Sequence, residues 1–214
     1  MKDYQTAFLK LALKHDVLKF GAFTLKSGRV SPYFFNLGKI STGAALRELA
    51  QAYAAALQAS GLACDMLFGP AYKGIPLVAA VACALAESGQ DLPYAYNRKE
   101  AKDHGEGGLL VGAVPRGRVV IVDDVLTAGT AMRESVKLLR TSGANPVAAL
   151  IALDRQETGP SGLSAVADLE RSEGLKVIAL VTVHDVLEHL TRENADAATV
   201  AAIRDYQARY GLKT

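Results

Sequence analysis

Residues 118–130 combine a short apolar run with two acids and a turn of small residues. Val119 to Val122 are typical of a buried strand, and Asp123 and Asp124 follow directly after it. The turn from Thr127 to Thr130 then precedes a predicted helix. Ligands of open α/β sheets bind beyond the carboxyl ends of strands, and a helix N-terminus attracts phosphate. Two carboxylates can bind sugar hydroxyls or hydrated Mg²⁺. The segment therefore predicts a phosphosugar site, the alternative being a connection with solvated acids.

A second candidate anion loop, Gly69-Pro-Ala-Tyr-Lys-Gly74, follows another short apolar run and precedes an alanine-rich segment. Its glycines allow a tight turn with exposed amides, and Lys73 supplies a point charge for an anion. Alone, the loop also fits an ordinary strand-to-helix connection with an exposed lysine. Two anion loops on one sheet edge suit a substrate with phosphate groups at both ends. Phosphoribosyl pyrophosphate (PRPP), with a 5-phosphate and a 1-pyrophosphate, is such a substrate.

The stretch from Arg98 to Gly108 is rich in cations and glycines and poor in core residues. It contains Arg98, Lys99, Lys102 and the titratable His104. Such a segment is typical of a mobile lid, although a solvated charge run has the same composition. Lid cations would stabilise the charge that develops on a departing pyrophosphate. Closure would also exclude water from a cationic ribosyl transition state.

Bulk composition predicts one globular domain and excludes several classes of function. The chain has 214 residues, half of them hydrophobic, and its 24 basic and 22 acidic residues give a net charge of +2. No global field therefore favours nucleic acid. The longest apolar stretch, Ile75 to Ala86, is shorter than the roughly 20 residues that span a membrane. Cys64 and Cys83 are predicted to be buried thiols in a reducing, cytoplasmic protein.

Hydrophobic periodicity predicts strands that alternate with helices. The predicted strands are Met66–Phe68, Leu92–Tyr96, Val119–Val122, Val147–Leu153 and Val177–Val183. The predicted helices are an N-terminal one capped by Asp3, one around Leu46–Leu57, one after Pro76, one at about Thr130–Ser142, and one over Ala195–Tyr210. This order predicts a mainly parallel α/β sheet flanked by helices.

The first 40 residues do not fit this alternation and are expected to form a small cap over the carboxyl edge of the sheet. We expect a single domain over residues 1–214. Residues 1–60 would include the elements of this N-terminal hood, 61–185 the α/β core, and the remainder C-terminal helices.

Four segments together resemble the orotate phosphoribosyltransferases, members of the type I PRPP-dependent family. They are TLKSGRVSPYFFN at Thr24 to Asn36, GPAYKG, RKEAKDHGEGG and VDDVLTAGT. The resemblance extends from the N-terminal helix to Leu153–Glu157. It implies a PRPP-type core with a hood, dependence on Mg²⁺, and a homodimer in which each lid closes over the partner subunit's site.

The resemblance also implies which residues form the site. The PRPP-binding residues would be Lys26, Tyr72, Lys73, Arg98, Lys99, Lys102, His104, Asp123, Asp124, Val125, Leu126, Thr127, Ala128, Gly129, Thr130 and Ala131. The orotate-binding residues would be Phe34, Phe35, Thr127 and Arg155. The residues nearest the chemistry would be Lys102, His104, Asp123 and Asp124, with Lys102 acting on the leaving group. Mg²⁺ would be held mainly through PRPP and water, with Asp123 or Asp124 as candidate direct ligands.

Elementary chemistry supports two of the orotate contacts. The planar guanidinium of Arg155 can pair with the orotate carboxylate in bidentate fashion, although a surface arginine at a strand end has the same sequence signature. Phe34 and Phe35 would form an apolar stacking wall. Because side chains alternate along a strand, only one of its faces can point to a ligand.

The implied reaction joins orotate to PRPP and gives orotidine 5′-phosphate and pyrophosphate, a step of de novo pyrimidine biosynthesis. No nucleophile–base pair is evident, so we expect no covalent enzyme intermediate. One rival is a regulator that senses PRPP, but the chain has neither a spare DNA-binding module nor excess positive charge. The nearer rival is a phosphoribosyltransferase for another base, such as a purine.

Overall fold

The computed structural model describes residues 1–25, 27–102, 108–126, 129–159 and 161–212, without the side chains of 101 and 102. The helices are α1 (Asp3–Lys14), α2 (Gly43–Ala59), α3 (Gly74–Glu87), α4 (Thr130–Thr141), α5 (Ala165–Glu173), α6 (Val183–Arg192) and α7 (Ala197–Tyr210). The strands are β1 (Leu18–Thr24), β2 (Val30–Phe35), β3 (Met66–Gly69), β4 (Tyr94–Lys102), β5 (Gly108–Gly112), β6 (Arg118–Val122), β7 (Asn145–Asp154) and β8 (Lys176–Thr182). A short 3-10 helix covers Leu37–Lys39.

Six strands form one sheet in the order β5-β4-β3-β6-β7-β8. All neighbouring pairs are parallel except β4 with β5. The predicted mainly parallel α/β sheet is therefore confirmed, with one antiparallel edge strand. Helices cover both faces of the sheet. Successive side chains of β6 point to these opposite faces, so β6 contributes to two cores. Val120 and Val122 join a core with α1, α2, α3, α6 and α7, whereas Val119 and Ile121 join a smaller core with α4 and α5.

The N-terminal segment adds a second, two-stranded antiparallel sheet of β1 and β2. Tyr33 of this hairpin is buried, and Phe35 packs on Phe8 of α1 with ring centroids 6.3 Å apart. Strand β2 also contacts α7, so the hairpin is fastened to the C-terminal part of the chain. Helix α2 packs against α1, α3, β7 and β8 and thus lies with the layers of the main sheet.

The strand predicted at residues 92–96 differs most from the structure. Strand β4 begins at Tyr94 and continues to Lys102, because Gly108–Gly112 forms β5 and pairs with it. Arg98 and Lys99 therefore lie on a strand, where the sequence predicted a loop. The antiparallel return was not predicted, since Gly108–Gly112 has only three apolar residues between glycines.

Local capping corrects several predicted ends. Asp3 lies inside the first turn of α1, and Lys2 is the capping residue. Val183 begins α6 rather than ending a strand, because the Thr182 hydroxyl accepts a hydrogen bond from the Asp185 N–H and closes a capping box. Helix α7 begins at Ala197 because the Asp196 carboxylate caps it.

The prediction of two buried thiols is half wrong. Cys64 is buried, but Cys83 is exposed on α3, and both are free. An alanine-rich helix has too little hydrophobic contrast around its circumference for the sequence to show which side of α3 faces solvent.

Candidate active site

The two acids after β6 are held by the backbone of their own loop. The Asp123 carboxylate accepts a hydrogen bond from the Asp124 N–H, and the Asp124 carboxylate accepts one from the Val125 N–H, both at 2.9 Å. The hydroxyl of Tyr53 on α2, which is fully buried, donates to the Asp123 backbone carbonyl at 2.9 Å. Sequence reasoning did not identify Tyr53, because an aromatic residue on a helical apolar face is usually core packing. The acid pair is therefore fixed from the helix layer as well as from the strand.

Lys73 connects the acid pair to the other anion loop. Its Nζ lies 2.5 Å from Asp124 Oδ2, and the Asp124 side chain is 11% exposed. Burial and the neighbouring Asp124 charge raise the pKa of Asp123 to about 7, although the Asp124 N–H and Lys73 partly oppose this shift. Two adjacent carboxylates in a desolvated site resist simultaneous ionisation, so Asp123 can exchange a proton near neutral pH.

Two glycines set the path of the loop that carries Tyr72 and Lys73. A Cβ atom on Gly69 would lie 2.2 Å from the Gly74 carbonyl oxygen, and one on Gly74 would lie 2.6 Å from Pro70 Cδ. Both positions therefore require glycine, and β3 passes into α3 through a very tight connection. The side chains of Tyr72 and Lys73 remain largely exposed at its tip.

Asn97 on β4 ties this loop to the strand that leads into the predicted lid. Its Oδ1 accepts a hydrogen bond from the Ala71 N–H at 3.0 Å, and its Nδ2 donates to the Arg98 carbonyl at 3.1 Å. The Lys99 ammonium lies 4.9 Å from the centroid of the Tyr72 ring, a cation–π contact. Sequence reasoning missed Asn97, because an asparagine beside a run of charges gives no signal of its own.

Arg98 has a buried side-chain nitrogen, Nη1, without a hydrogen-bond partner among the described residues. Buried arginine donors normally have partners, because an unpaired buried donor destabilises the structure. Arg98 therefore has a donor that no described residue uses.

Gly129 and the first turn of α4 are the described part of the predicted 5-phosphate loop. Gly129 adopts a φ of 73° as the capping residue of α4 and accepts a backbone hydrogen bond from Arg133 at 2.9 Å. The Arg133 guanidinium pairs with Asp168 of α5 and lies beside Gly129, where a Cβ atom would meet it at 2.8 Å. Val125 forms a parallel bridge with Leu153 of β7.

Thr130 and Ala131 form the first turn of α4, and Leu126 is buried in the smaller core. The backbone amides of this turn can therefore serve an anion.

Arg155 follows β7 and is already bound to a carboxylate of the chain. Its Nε and Nη2 lie 2.7 and 2.6 Å from Glu157 Oε1, and Nη2 lies 3.3 Å from the Ser31 hydroxyl. The guanidinium carbon lies 4.6 Å from the centroid of the Tyr33 ring. Sequence reasoning missed Glu157, which occupies the edge of Arg155 that was expected to bind a ligand carboxylate in bidentate fashion.

Phe34 and Phe35 point to opposite faces of β2, as the alternation of a strand requires. Phe34 is 41% exposed and lies 5.5 Å from Phe23, ring centre to ring centre. Phe35 packs on Phe8 and the main core. Only Phe34 is therefore well exposed to solvent or to a ligand.

Part of the predicted site lies outside the described residues, namely Lys26, the side chain of Lys102, His104, Thr127 and Ala128. The described part contains no cluster of three or more His, Cys, Asp or Glu side chains that could hold a metal ion. It also contains no helix with the length and apolar character required to cross a membrane.

Comparisons with known proteins agree with this geometry. The phosphoribosyl transferase domain model matches residues 39–162. The orotate phosphoribosyltransferase of Cellvibrio japonicus is 55% identical over the whole of both chains. That of Thioalkalivibrio sulfidiphilus is 56% identical over 99% of this chain and all of its own. A 1.9 Å crystal structure of the Francisella tularensis orotate phosphoribosyltransferase superposes with a TM-score of 0.86 at 42% identity, over 95% of this chain and 98% of that one. The sequence motifs, the fold and these relatives together show that the present chain belongs to the orotate phosphoribosyltransferase family.

Proposed function

We propose that the protein transfers the 5-phosphoribosyl group of PRPP to orotate, giving orotidine 5′-phosphate and pyrophosphate. The observation that carries the proposal is the acid pair Asp123–Asp124 at the end of β6, joined to Lys73 at 2.5 Å and followed by the turn into α4. The two acids that we assign to the ribose thus lie between two anion loops. The Gly69–Gly74 loop would bind the pyrophosphate end of PRPP, and the turn into α4 would bind the 5-phosphate end. The relatives named above carry the same activity in their names.

In this proposal Asp123 and Asp124 bind the two ribose hydroxyls, and residues Val125 to Ala131 bind the 5-phosphate at the N-terminus of α4. Four hydrogen-bond acceptors on two carboxylates match a diol, and free helix N–H groups match a phosphate. Lys73 releases Asp124 when the substrate arrives, since the pyrophosphate offers its ammonium group a more highly charged partner. Tyr72 lies beside Lys73 and shares this role.

The cations of the β4–β5 hairpin act on the leaving group. As the C1–O bond of PRPP breaks, charge builds up on the pyrophosphate oxygens, and fixed cations lower the energy of that state. Arg98 supports this role with its buried Nη1, which has no hydrogen-bond partner among the described residues and fits an anionic oxygen. Lys99, Lys102 and His104 complete the lid, and Lys102 is the residue that we assign to the leaving group.

Mg²⁺ fits this site as an ion that arrives with PRPP. Asp123 and Asp124 supply the carboxylate oxygens that Mg²⁺ prefers, and the described residues offer no third ligand to complete a protein cage. Pyrophosphate oxygens and water would fill the remaining positions. When bound, the ion would neutralise charge on the pyrophosphate. The chain itself orients the ribose and excludes water.

Orotate binds between the hood and the end of β7. Phe34 offers an exposed aromatic face, and Arg155 a cation near the substrate carboxylate. Thr127 completes the set that we assign to orotate, whereas Phe35 packs on Phe8 and Lys26 is assigned to PRPP. Ring nitrogen N1 then attacks C1 of the ribose and forms the new C–N bond. The C1–O electron pair leaves with pyrophosphate, and the proton of N1 is released to solvent.

We further propose a homodimer in which each lid serves the partner subunit's site, and a location in the cytoplasm. Exposed apolar side chains on and next to the β4–β5 hairpin support the first proposal: Tyr94, Leu109 and Val114 are all more than one-third exposed. The two free cysteines support the second, because an exposed thiol such as Cys83 is maintained in a reducing compartment.

A substrate panel tests the reaction. The protein is incubated with PRPP and Mg²⁺ and each of orotate, uracil, adenine, guanine and hypoxanthine, while base consumption and pyrophosphate release are followed. We expect consumption of orotate alone. Consumption of another base would keep the PRPP half of the proposal and refute the orotate assignment. PRPP binding without turnover of any base would favour a sensor.

A further inference from the structure

Glu157 collects hydrogen-bond donors from three parts of the fold. Its Oε1 accepts from Arg155 Nε at 2.7 Å, from Arg155 Nη2 at 2.6 Å and from the Tyr33 hydroxyl at 3.3 Å. Its Oε2 accepts from the Tyr206 hydroxyl at 3.3 Å and lies 3.8 Å from Arg29 Nη1. Tyr33 belongs to the hood, Arg155 follows the main sheet, and Tyr206 lies on α7. One carboxylate therefore joins hood, sheet and C-terminal helix.

These contacts fix the plane of the Arg155 guanidinium. Glu157 takes the edge formed by Nε and Nη2, Ser31 accepts from Nη2 at 3.3 Å, and the Tyr33 ring lies against the face at 4.6 Å. The donors on Nη1 are used in none of these bonds. An arginine has five N–H donors in a rigid fork, so fixing one edge also fixes the direction of the opposite one.

The charge balance explains why Arg155 can be held in place before a substrate binds. The side chains of Arg155 and Glu157 are only 21% and 15% exposed. A guanidinium buried to this extent without a counter-charge would be strongly destabilising and would turn toward solvent. Glu157 offsets that cost, so the guanidinium is pre-organised and little ordering remains when a ligand arrives.

We propose that Glu157 is a positioning residue for base recognition, which acts by holding Arg155 so that its Nη1 end meets the carboxylate of orotate. This inference rests on the proposed function. It also replaces the bidentate pairing expected from the sequence by a contact through the outer end of the guanidinium. Glu157 thus favours a carboxylated pyrimidine over a base without a carboxylate, although it does not touch the substrate.

The Glu157→Gln variant tests this role, because it keeps the size of the side chain and removes its charge. We expect the KM for orotate to rise about tenfold, the scale of weakening one hydrogen bond to a charged group, while the KM for PRPP stays within about twofold. Glu173→Gln is the matched control. Glu173 accepts from Arg140 at 2.8 Å, its side chain is 18% exposed, and it lies outside the site. Both KM values should be unchanged in this control.

A double-mutant cycle separates positioning from general loosening of the fold. If Glu157 acts through Arg155, Glu157→Gln should add nothing to the orotate KM of Arg155→Ala. Tyr206→Phe removes one donor to Glu157 and keeps its charge, so it should raise the orotate KM less than Glu157→Gln. It decides the case if Glu157→Gln does not fold.

Three outcomes can be told apart. A wild-type protein that consumes no orotate refutes the proposed function itself. An active wild type whose orotate KM is unchanged by Arg155→Ala refutes the role of Arg155. An orotate KM that rises in Arg155→Ala but not in Glu157→Gln, or equal rises for orotate and PRPP, overturns the positioning role of Glu157.

Discussion

At the scale of single residues, the site depends on two acids, Asp123 and Asp124, that are largely shielded from solvent and whose charge is partly neutralised by Lys73. Asp124 is paired with Lys73 at 2.5 Å, whereas Asp123 has its own loop backbone and a desolvated pocket. The two acids are neighbours in the sequence but differ in their electrostatic surroundings. We therefore expect them to contribute differently to stability and to substrate binding.

The raised pKa of Asp123 predicts a pH-dependent stability. With a pKa of about 7 in the folded state and about 4 in the unfolded chain, the folded protein binds the proton more tightly. The stabilisation of the folded state by the proton on Asp123 is therefore complete below about pH 4 and is lost as the pH rises through 7. Asp123→Asn removes this titration. The free energy of unfolding in urea, compared at pH 5 and pH 8, should fall more for the wild type than for the variant, by at least about 1 kcal/mol.

Asp205→Asn, a substitution on the outer side of α7, is the control and should follow the wild type. Equal pH dependence in the wild type and Asp123→Asn would show that Asp123 ionises normally. The same variant should weaken PRPP binding, because an amide cannot accept two ribose hydroxyls as a carboxylate does.

Lys102 carries the prediction for the leaving group. Removal of one transition-state donor typically lowers turnover by about 10²-fold or more, so Lys102→Ala should lower kcat on this scale and leave the melting temperature unchanged. Steady-state kinetics with saturating orotate and PRPP measure it. Lys137→Ala on the outer helix α4 is the matched control, and near-normal turnover in Lys102→Ala would refute the assignment.

At the scale of elements, the β4–β5 hairpin and the loop between β3 and α3 are fastened to each other. Asn97 bonds the Ala71 N–H, and Lys99 lies over the Tyr72 ring. The loop between β3 and α3 is therefore fastened to the strand that carries Arg98 and Lys99, two of the proposed lid cations. A substitution in β4 should therefore weaken the binding of PRPP at its pyrophosphate end, even where the substituted residue does not contact PRPP.

Asn97→Ala tests this connection. Losing two hydrogen bonds frees the backbone that presents Tyr72 and Lys73, so we expect the KM for PRPP to rise about tenfold with a smaller effect on orotate. Asn97→Asp keeps the acceptor for Ala71 and should retain more PRPP affinity than Asn97→Ala. Gln58→Ala, which removes a surface hydrogen bond to Ser88, is the control. Equal KM values for all three variants would show that the loop is held without Asn97.

At the scale of the whole molecule, the proposed shared site predicts that two different inactive variants restore activity when they form a dimer together. Lys102→Ala disables the lid, and Asp124→Asn disables the core that the lid covers. Subunit exchange between these two variants produces dimers with one intact site, so activity should recover to a fraction of the wild-type value. Mixed samples of each variant with itself are the control. Absence of recovery, with exchange confirmed by differently tagged subunits, would mean that each chain uses its own lid.

The sequence alone predicted the alternation of strands β3, β4, β6, β7 and β8 with helices, because hydrophobic periodicity and turn residues are local properties, whereas β1, β2, α5 and α6 were not predicted. The strand of Val119–Val122, the following acids and the start of α4 at Thr130 all lie where the sequence predicts them. The family also followed from local motifs, since each anion loop is a continuous segment. Strand β5 could not be predicted in this way, because a short glycine-bounded segment becomes a strand only when β4 offers its edge.

Only the tertiary structure determined the contacts between distant segments. Tyr53 reaches Asp123 across 70 residues, and Tyr33 reaches Glu157 across 124. Neither residue differs in the sequence from ordinary core or surface positions, because its partner is chosen by how helices and hairpin pack. For the same reason Arg155 was predicted as a free guanidinium and is found bound to Glu157. The local sequence determines which chemical groups the site contains, whereas the packing between elements determines how those groups are oriented.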